Sequence, residues 1–385
     1  MPASRTSTSP YPDYDIHKVI QAVRNPTPDL VNVFAHRGVR LLGGTTENSL
    51  TAIAAAARAG YEGIEIDLRL TKDKRVVVFH DAGLGRLTDV KLPKGETYYN
   101  PFTGKGYSPL VKETKWVGEM EHLHLRDDSG GVTDERPVLL KELLDFMRIE
   151  GITMLVHLDI KDPDLLPYAY DIISKAVNPA GVAAMEWCLW KPPAHLFPTP
   201  EVWERQDWVQ RALKSGRGMA FVLLHEKEDE KTLDSIKAWA KCDYLLTFEL
   251  HVPLIGGQLQ STLDWVLSQG HGVGSWYIGG DVPRQYYDED TDGGLFWDDS
   301  NFRKDILASG PGVRAMLQEW IGLISAGGII GQPPNNKDTR VDLDALVNKQ
   351  RFTYIVADPF YDLNAELTAM GKRNVTRMLA TRLDE

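Results

Sequence analysis

Polar side chains end three short β-branched runs that lie between residues 31 and 81. VNVFAHRG contains His36, GIEIDLRL carries Glu65 and Asp67, and VVVFHD ends in His80 and Asp81. A strand that only packs against its neighbours has little use for histidine or paired carboxylates at its end. Three such endings within fifty residues therefore predict a site built at the ends of adjacent strands.

A fourth run of the same kind, TMLVHLDIK, adds Asp159 and Lys161. Residues two apart in a strand share a face, so Glu65 points with Asp67, and Asp159 points with Lys161. Three carboxylates in one place repel one another unless a cation joins them, and ligand sets made only of oxygen favour Mg²⁺ or Ca²⁺ over zinc. We therefore expect Glu65, Asp67 and Asp159 to bind one divalent cation, either Mg²⁺ or Ca²⁺.

Two histidines beside such a cluster suit the cleavage of a phosphodiester. In this interpretation His36 and His80 come from the first and third strands and flank the carboxylates of the second. One imidazole would activate the attacking oxygen, and the other would protonate the leaving alkoxide. The cation and Lys161 would hold the non-bridging oxygens and offset the charge that develops on phosphorus.

An alternation of strands and helices is needed to bring these residues together. Nine segments are predicted to be strands: 31–35, 63–70, 75–79, 153–161, 183–190, 218–225, 242–250, 272–278 and 352–357. Helices are predicted after Thr45 or Thr46 as far as Gly60, after Pro137 as far as Gly151, and near 165–177, 201–214, 230–241, 261–269, 302–325 and 362–381. Eight strands would close a barrel, so one strand should be short or peripheral, and 242–250 is our choice.

The fold class predicted from this alternation is α/β, a (β/α)₈ TIM barrel in a single domain. The connection TKDK between the second and third strands is too short for a crossover helix and predicts a tight turn. Residues 1–28 are expected to form a mobile arm with a short helix near 16–23, and residues 29–385 to form the barrel. A long insertion follows the third strand at about 86–137, and an acidic loop lies at about 281–300.

Composition excludes several classes of protein. A net charge of −11 disfavours a generic nucleic-acid surface, which needs clustered Lys and Arg. No apolar run approaches the length needed to cross a bilayer, so no transmembrane segment is expected. The absence of a hydrophobic signal core and the presence of only two cysteines favour a cytoplasmic location. The expected partner is a small-molecule or lysolipid phosphodiester.

The motifs together resemble those of the glycerophosphodiester phosphodiesterases, which read HRG, ENT, ExD, HD and ExK in order. The matching positions are His36-Arg37-Gly38, Glu47-Asn48-Ser49, Glu65-Ile66-Asp67, His80-Asp81 and Asp159-Ile160-Lys161. The resemblance covers roughly residues 31–362. It implies a TIM barrel that uses a divalent cation to hydrolyse glycerophosphodiesters to glycerol 3-phosphate and an alcohol.

The resemblance also implies a role for each matched residue. His36 and His80 become the acid–base pair, and Glu65, Asp67 and Asp159 the metal ligands. Substrate binding is assigned to Lys161 and Arg37 at the phosphate and to Trp276 at a tryptophan-bearing strand end. Strict strand alternation would, however, turn Arg37 away from His36.

One departure from the family pattern keeps an alternative open. Asp159 stands where the family usually has glutamate, and the Asp-x-Lys form is similar to the sphingomyelinase-D-type phospholipases D. Phospholipase D or lysophospholipase D action on choline-type lipids, with or without a cyclic phosphate product, is therefore the alternative. A non-catalytic barrel that binds phosphodiesters is a third hypothesis, against which the pair of histidines argues. The aromatic residues of the insertion either line a pocket for a lipid-like group or pack the loop: Tyr98, Tyr99, Phe102, Tyr107 and Trp116.

Overall fold

Eight parallel strands form a closed barrel in the computed structural model, which describes residues 9–39, 45–99, 105–127, 131–216, 218–252, 255–277, 340, 343–357 and 363–380. The strands in chain order are β1 (Asn32–His36), β2 (Gly63–Leu70), β3 (Val76–Val78), β4 (Val138–Leu139), β5 (Leu155–Ile160), β6 (Cys188–Lys191), β7 (Ala220–His225), β8 (Leu245–Leu250), β9 (Val273–Tyr277) and β10 (Tyr354–Ala357). β1 pairs with both β2 and β10, and this pairing closes the ring of β1, β2, β5, β6, β7, β8, β9 and β10. The predicted TIM-barrel class is confirmed.

β3 and β4 lie outside the ring. β3 pairs antiparallel with β2, and Leu70 stands opposite Val76, so the TKDK connection is a tight hairpin turn as predicted. The choice of 242–250 as the peripheral strand is wrong, because β8 pairs in parallel with both β7 and β9. The strand that does not join the barrel is the third one, which is also the strand predicted to deliver His80.

Helices follow most of the barrel strands. Those described are α1 (Ile16–Arg24), α2 (Leu50–Arg58), α3 (Leu140–Glu150), α4 (Leu166–Ile173), α5 (Ala184–Trp187), α6 (Pro200–Glu204), α7 (Asp207–Lys214), α8 (Thr232–Trp239), α9 (Gln260–Ser268) and α10 (Leu363–Ala369). The predicted helix 201–214 is two helices, α6 and α7, and the first half of the predicted strand 183–190 is α5. The predicted helix 302–325 and the acidic loop 281–300 lie outside the described residues.

α1 lies within the segment 1–28, where a short helix near 16–23 is expected. Asp15 caps this helix by accepting hydrogen bonds from the amides of His17 and Lys18, and Ile16, Val19 and Val23 are buried. The carbonyl of Val23 lies against the segment just before β9, at the amino-terminal end of the barrel. Residues 9–28 therefore pack against the barrel end opposite the carboxyl ends of the strands.

The insertion has a hydrophobic core of its own. Its buried members include Leu87, Trp116 and Leu125, which pack together with Phe79 and with Val77 of β3. Of the five aromatic residues noted in the sequence, Trp116 packs in this core, Tyr98 is 66% exposed, and Phe102 lies outside the described residues. Among the helices of the described ranges, none has both the length and the apolar character required to cross a membrane.

Candidate active site

The three predicted acidic ligands meet at the carboxyl ends of β2 and β5. These neighbouring strands are in register, with Asp67 opposite Asp159, so their inward side chains lie at one level. Glu65 stands one inward position deeper on β2. Each of the three carboxylates offers an oxygen within 4.8 Å of the other two. The structure thus brings together Glu65, Asp67 and Asp159.

The donor set fits a hard divalent cation. All three side chains offer oxygen, and Oε2 of Glu65 is a buried atom that accepts no hydrogen bond within the part of the chain described. Burial, followed by the charge of Asp67, raises the pKa of Glu65 well above its usual range. The charges of Lys191 and Lys161 offset this shift only in part, and a bound cation would supply further positive charge.

Lys161 contacts two of these carboxylates. Its Nζ lies 2.8 Å from Oδ2 of Asp159 and 3.1 Å from Oδ1 of Asp67. Burial alone would lower the pKa of Lys161, but the two carboxylates outweigh burial and raise it, so the side chain is charged at neutral pH. In the same way, burial would raise the pKa of Asp67, but Lys161, His80 and Arg37 hold it well below its usual range.

Arg37 reaches the site because the backbone leaves the strand conformation at this residue. Its φ of 56° ends the alternation of β1, so the side chain does not turn away as strict alternation would require. Nε of Arg37 lies 3.2 Å from Oδ2 of Asp67, and Nη1 donates to Oε1 of Glu47 at 3.0 Å. Asn48, with φ 58°, donates its side-chain amide to Oδ2 of Asp67 and its backbone amide to the carbonyl of Arg37.

His36 and Trp276 form one side of the site. His36 ends β1 and is 7% exposed, and its Nε2 lies 3.9 Å from Oε2 of Glu65. The ring of Trp276, on β9, has its centroid 5.2 Å from that of His36. Trp276 is therefore placed beside a candidate catalytic histidine.

His80 follows β3, a strand that lies outside the barrel, which the sequence did not indicate. The barrel neighbours of β2 are β1 and β5, so His80 does not come from a flanking barrel strand. The β2–β3 hairpin returns toward the site, and the amide of Phe79 donates to the carbonyl of Asp67 at 2.9 Å. Burial, followed by the charge of Arg37, lowers the pKa of His80 to about 4, so its imidazole is neutral at neutral pH.

Arg86 is a charged residue of the site that the sequence interpretation passed over. Its Nε and Nη2 donate to the two carboxylate oxygens of Asp81 at 2.6 and 2.7 Å. Its Nη1 and Nη2 donate to Glu47 at 3.0 and 2.8 Å. Asp81 in turn lies 2.8 Å from Nδ1 of His80. The signal for Arg86 was its place in HDAGLGRLTDV, six residues after His80.

Lys191 and Glu249 form a second buried ion pair inside the barrel. Nζ of Lys191 lies 3.3 Å from Oε1 of Glu249 and 3.6 Å from Oε1 of Glu65. Tyr354 donates its hydroxyl to Oε2 of Glu249 at 3.4 Å. Lys191 is the last residue of β6, and the predicted strand stopped one residue before it. A charged residue at a strand end was the signal, as at Lys161.

Comparison with known proteins identifies the family of this chain. Residues 36–247, more than half of the chain, match the model of the glycerophosphoryl diester phosphodiesterase family. A segment of 86 residues is 40% identical to a glycerophosphodiester phosphodiesterase of Bacillus altitudinis and covers 22% of this chain and 34% of that protein. A segment of 114 residues is 32% identical to the lysophospholipase D GDPD1 of Rattus norvegicus and covers 29% and 31%. The matched segments thus span about a third of the length of these curated relatives.

Solved structures show the same fold. A glycerophosphoryl diester phosphodiesterase of Parabacteroides distasonis superposes over 96% of this chain and 99% of its own, with a TM-score of 0.56 and 14% identity. A protein of Silicibacter pomeroyi, described as a putative member of the same group, gives a TM-score of 0.53 at 18% identity over 92% and 99% of the two chains. The family match includes β2, β5, β6 and β7 and the site residues from His36 to Lys191. The chain belongs to the glycerophosphoryl diester phosphodiesterase family.

Proposed function

We propose that this protein is a metal-dependent phosphodiesterase that hydrolyses glycerophosphodiesters to glycerol 3-phosphate and an alcohol. The observation that carries the proposal is the convergence of Glu65, Asp67 and Asp159 within 4.8 Å, with the cation Lys161 on two of them. Family membership supports the same reaction. Glu65, Asp67 and Asp159 would hold the cation, which when bound polarises the phosphoryl oxygens as a Lewis acid.

Fixed positive charge from the chain supports binding of the phosphate. Lys161 and Arg37 contact the two carboxylate oxygens of Asp67, so both side chains hold positive charge beside the acidic cluster. A phosphodiester carries negative charge, and the oxygens gain charge as the attacking oxygen approaches phosphorus. Preorganised cations stabilise that state more than the ground state, which is the condition for faster turnover.

Proton transfer falls to the two histidines. The pKa of Asp81 is lowered, chiefly because Arg86 outweighs the effect of burial, so Asp81 is an ionised acceptor for Nδ1–H of His80. In this tautomer Nε2 of His80 carries a lone pair, which accepts the proton of the attacking water. His36 then gives a proton to the leaving alkoxide.

Lysophospholipase D activity is the second candidate. The match to the Rattus norvegicus protein of that name and the Asp-x-Lys form at Asp159 favour it. The same acidic cluster and histidines serve either reaction, and the substrates and products differ. Glycerophosphodiester cleavage yields glycerol 3-phosphate, and lysophospholipase D cleavage yields a lysolipid phosphate or its cyclic form together with the headgroup.

Product analysis by ³¹P NMR separates these candidates. Glycerophosphocholine and lysophosphatidylcholine are offered side by side, with Mg²⁺ and Ca²⁺ supplied in separate reactions. We expect the glycerol 3-phosphate signal to appear from glycerophosphocholine and to be lost in His36→Ala and His80→Ala. A dominant lysolipid phosphate signal would favour the second candidate. No product from either substrate with either cation would contradict both and favour a binding barrel.

A further inference from the structure

We propose that Arg86 is a positioning residue that orients both His80 and Arg37 for phosphodiester cleavage. This inference rests on the proposed function. The guanidinium of Arg86 makes four hydrogen bonds, two to Asp81 and two to Glu47, all between 2.6 and 3.0 Å. Its side chain is 11% exposed, so these bonds are largely removed from competition with water.

The first pair of bonds acts on His80. Asp81 accepts from Arg86 through both oxygens and lies 2.8 Å from Nδ1 of His80. The two hydrogen bonds from Arg86 fix the orientation of the Asp81 carboxylate. Asp81 therefore fixes the rotation of the His80 imidazole and favours the tautomer with hydrogen on Nδ1. Within the described part of the chain Arg86 bonds to Asp81 and not to the imidazole, so its effect on His80 passes through Asp81.

The second pair of bonds acts on Arg37. Glu47 accepts from Arg86 through both oxygens and from Nη1 of Arg37 through Oε1. Arg37 stands in the left-handed backbone region, where a non-glycine residue is held only if its surroundings fix it. Glu47 is 2% exposed, and its two arginine partners neutralise a charge that would otherwise be costly to bury.

One side chain thus joins two separate parts of the site. The order of contacts is His80, Asp81, Arg86, Glu47, Arg37 and finally Asp67. Arg86 is also the first residue of the insertion, so this contact fixes the insertion to the end of the barrel. A lysine cannot replace it, because one ammonium group cannot present the two parallel pairs of N–H donors that Asp81 and Glu47 receive.

Steady-state kinetics on glycerophosphocholine at saturating cation test this inference. We expect Arg86→Gln to lower kcat/KM by about 10–100-fold, the usual range for a partner that orients site residues, and Arg86→Lys to recover only part of the loss. Asp81→Asn should act mainly on kcat, since Asp81 contacts His80, and Glu47→Gln mainly on KM, since Glu47 contacts Arg37. The control is Arg136→Gln, an exposed arginine of the insertion that donates to the carbonyl of Glu121 and should leave both constants unchanged.

Additivity distinguishes positioning from a general loss of structure. In the Asp81→Asn/Glu47→Gln background, adding Arg86→Gln should cost less than about threefold, because the groups through which Arg86 acts are already removed. A full 10–100-fold loss in that background would overturn the inference, as would an Arg86→Gln enzyme with wild-type constants. Should Arg86→Gln fail to fold, the kcat and KM effects of Asp81→Asn and Glu47→Gln still decide whether the two branches exist.

A spectroscopic measurement needs no activity. Long-range ¹H–¹⁵N spectra of histidine-labelled protein, with His80 assigned from a His80→Asn spectrum, should show the Nδ1–H tautomer in the wild type and a mixture in Arg86→Gln. The same tautomer in both proteins would overturn the inference. A wild type without activity would contradict the proposed function, and this spectrum would still test the role of Arg86.

Discussion

Glu249→Gln should strongly destabilise the fold, because it removes the main counter-charge of a buried lysine. Lys191 is 3% exposed, and its Nζ lies 3.3 and 3.4 Å from the two oxygens of Glu249. Its other contact, Oε1 of Glu65, is more distant at 3.6 Å. The substitution leaves the shape of residue 249 nearly unchanged and takes away its negative charge.

The expected magnitude follows from the cost of an uncompensated buried charge. Removing one partner of such a pair typically costs about 3–5 kcal/mol. A chain of 385 residues has an unfolding entropy of roughly 0.8 kcal/mol/K, which converts that loss into a fall of about 4–6 °C in Tm. The loss should fall on the folded barrel as a whole, because the pair joins β6 to β8 across the barrel interior.

Denaturant and thermal unfolding of the wild type and three variants measure this effect. The control is Asp145→Asn, which breaks the exposed pair between Lys141 and Asp145 on α3 and should cost less than about 1 kcal/mol. The double variant Lys191→Met/Glu249→Leu removes both charges and should recover much of the loss. A Glu249→Gln protein as stable as Asp145→Asn, or a double variant less stable than Glu249→Gln, would refute the reasoning.

Three further predictions concern the site and its supports. Gly38→Ala should lower the free energy of unfolding measured in urea by about 1–3 kcal/mol. The φ of Gly38 is +83°, and the added Cβ would lie 2.7 Å from a backbone atom of Ala52. An unchanged free energy of unfolding would count against the described turn. Lys161→Met should lower kcat about 10²–10³-fold on glycerophosphocholine with the circular dichroism spectrum preserved, since a fixed cation beside the phosphate is lost; an unchanged kcat would exclude Lys161 from charge stabilisation. Acid should destabilise the wild type more than Glu249→Gln. Burial opposes ionisation of Glu249, but Lys191 lowers the pKa of this carboxyl in the folded protein. The stabilisation is therefore present above about pH 4.3, the pKa of glutamate in the unfolded chain, and is lost as the pH falls below that value. Equal slopes of unfolding free energy against pH in the two proteins would contradict this assignment.

Local patterns predicted most of the barrel and the members of the acidic cluster. β2 has the predicted bounds, 63–70, because its alternation and turn residues mark both ends. The period of two also placed Glu65 with Asp67 and Asp159 with Lys161, and parallel pairing then placed all four at one end of the barrel. Arg37 did not follow the period of two, because its backbone has the left-handed conformation. No residue type in the sequence indicated this conformation.

Local sequence patterns could not predict which distant segments pair or pack together. Both 75–79 and 242–250 are predicted strands, and the antiparallel pairing of β3 with β2 shows that β3 is the one that leaves the ring. The composition of residues 9–28 suggests an arm, but contacts with the barrel bury Tyr14, Val19 and Val23. Lys191 and Glu249 come from β6 and β8, and a buried ion pair formed across the barrel has no signature within either strand alone.

A paired titration tests the central claim that the acidic cluster binds the cation on which cleavage depends. Protein stripped with a chelator is titrated with Mg²⁺ or Ca²⁺ while cation binding and glycerophosphocholine cleavage are followed on the same sample. We predict that one equivalent binds, that activity returns in proportion, and that Asp159→Asn weakens both together. Full activity in the stripped protein, or cation binding that Asp159→Asn leaves unchanged, would contradict the account.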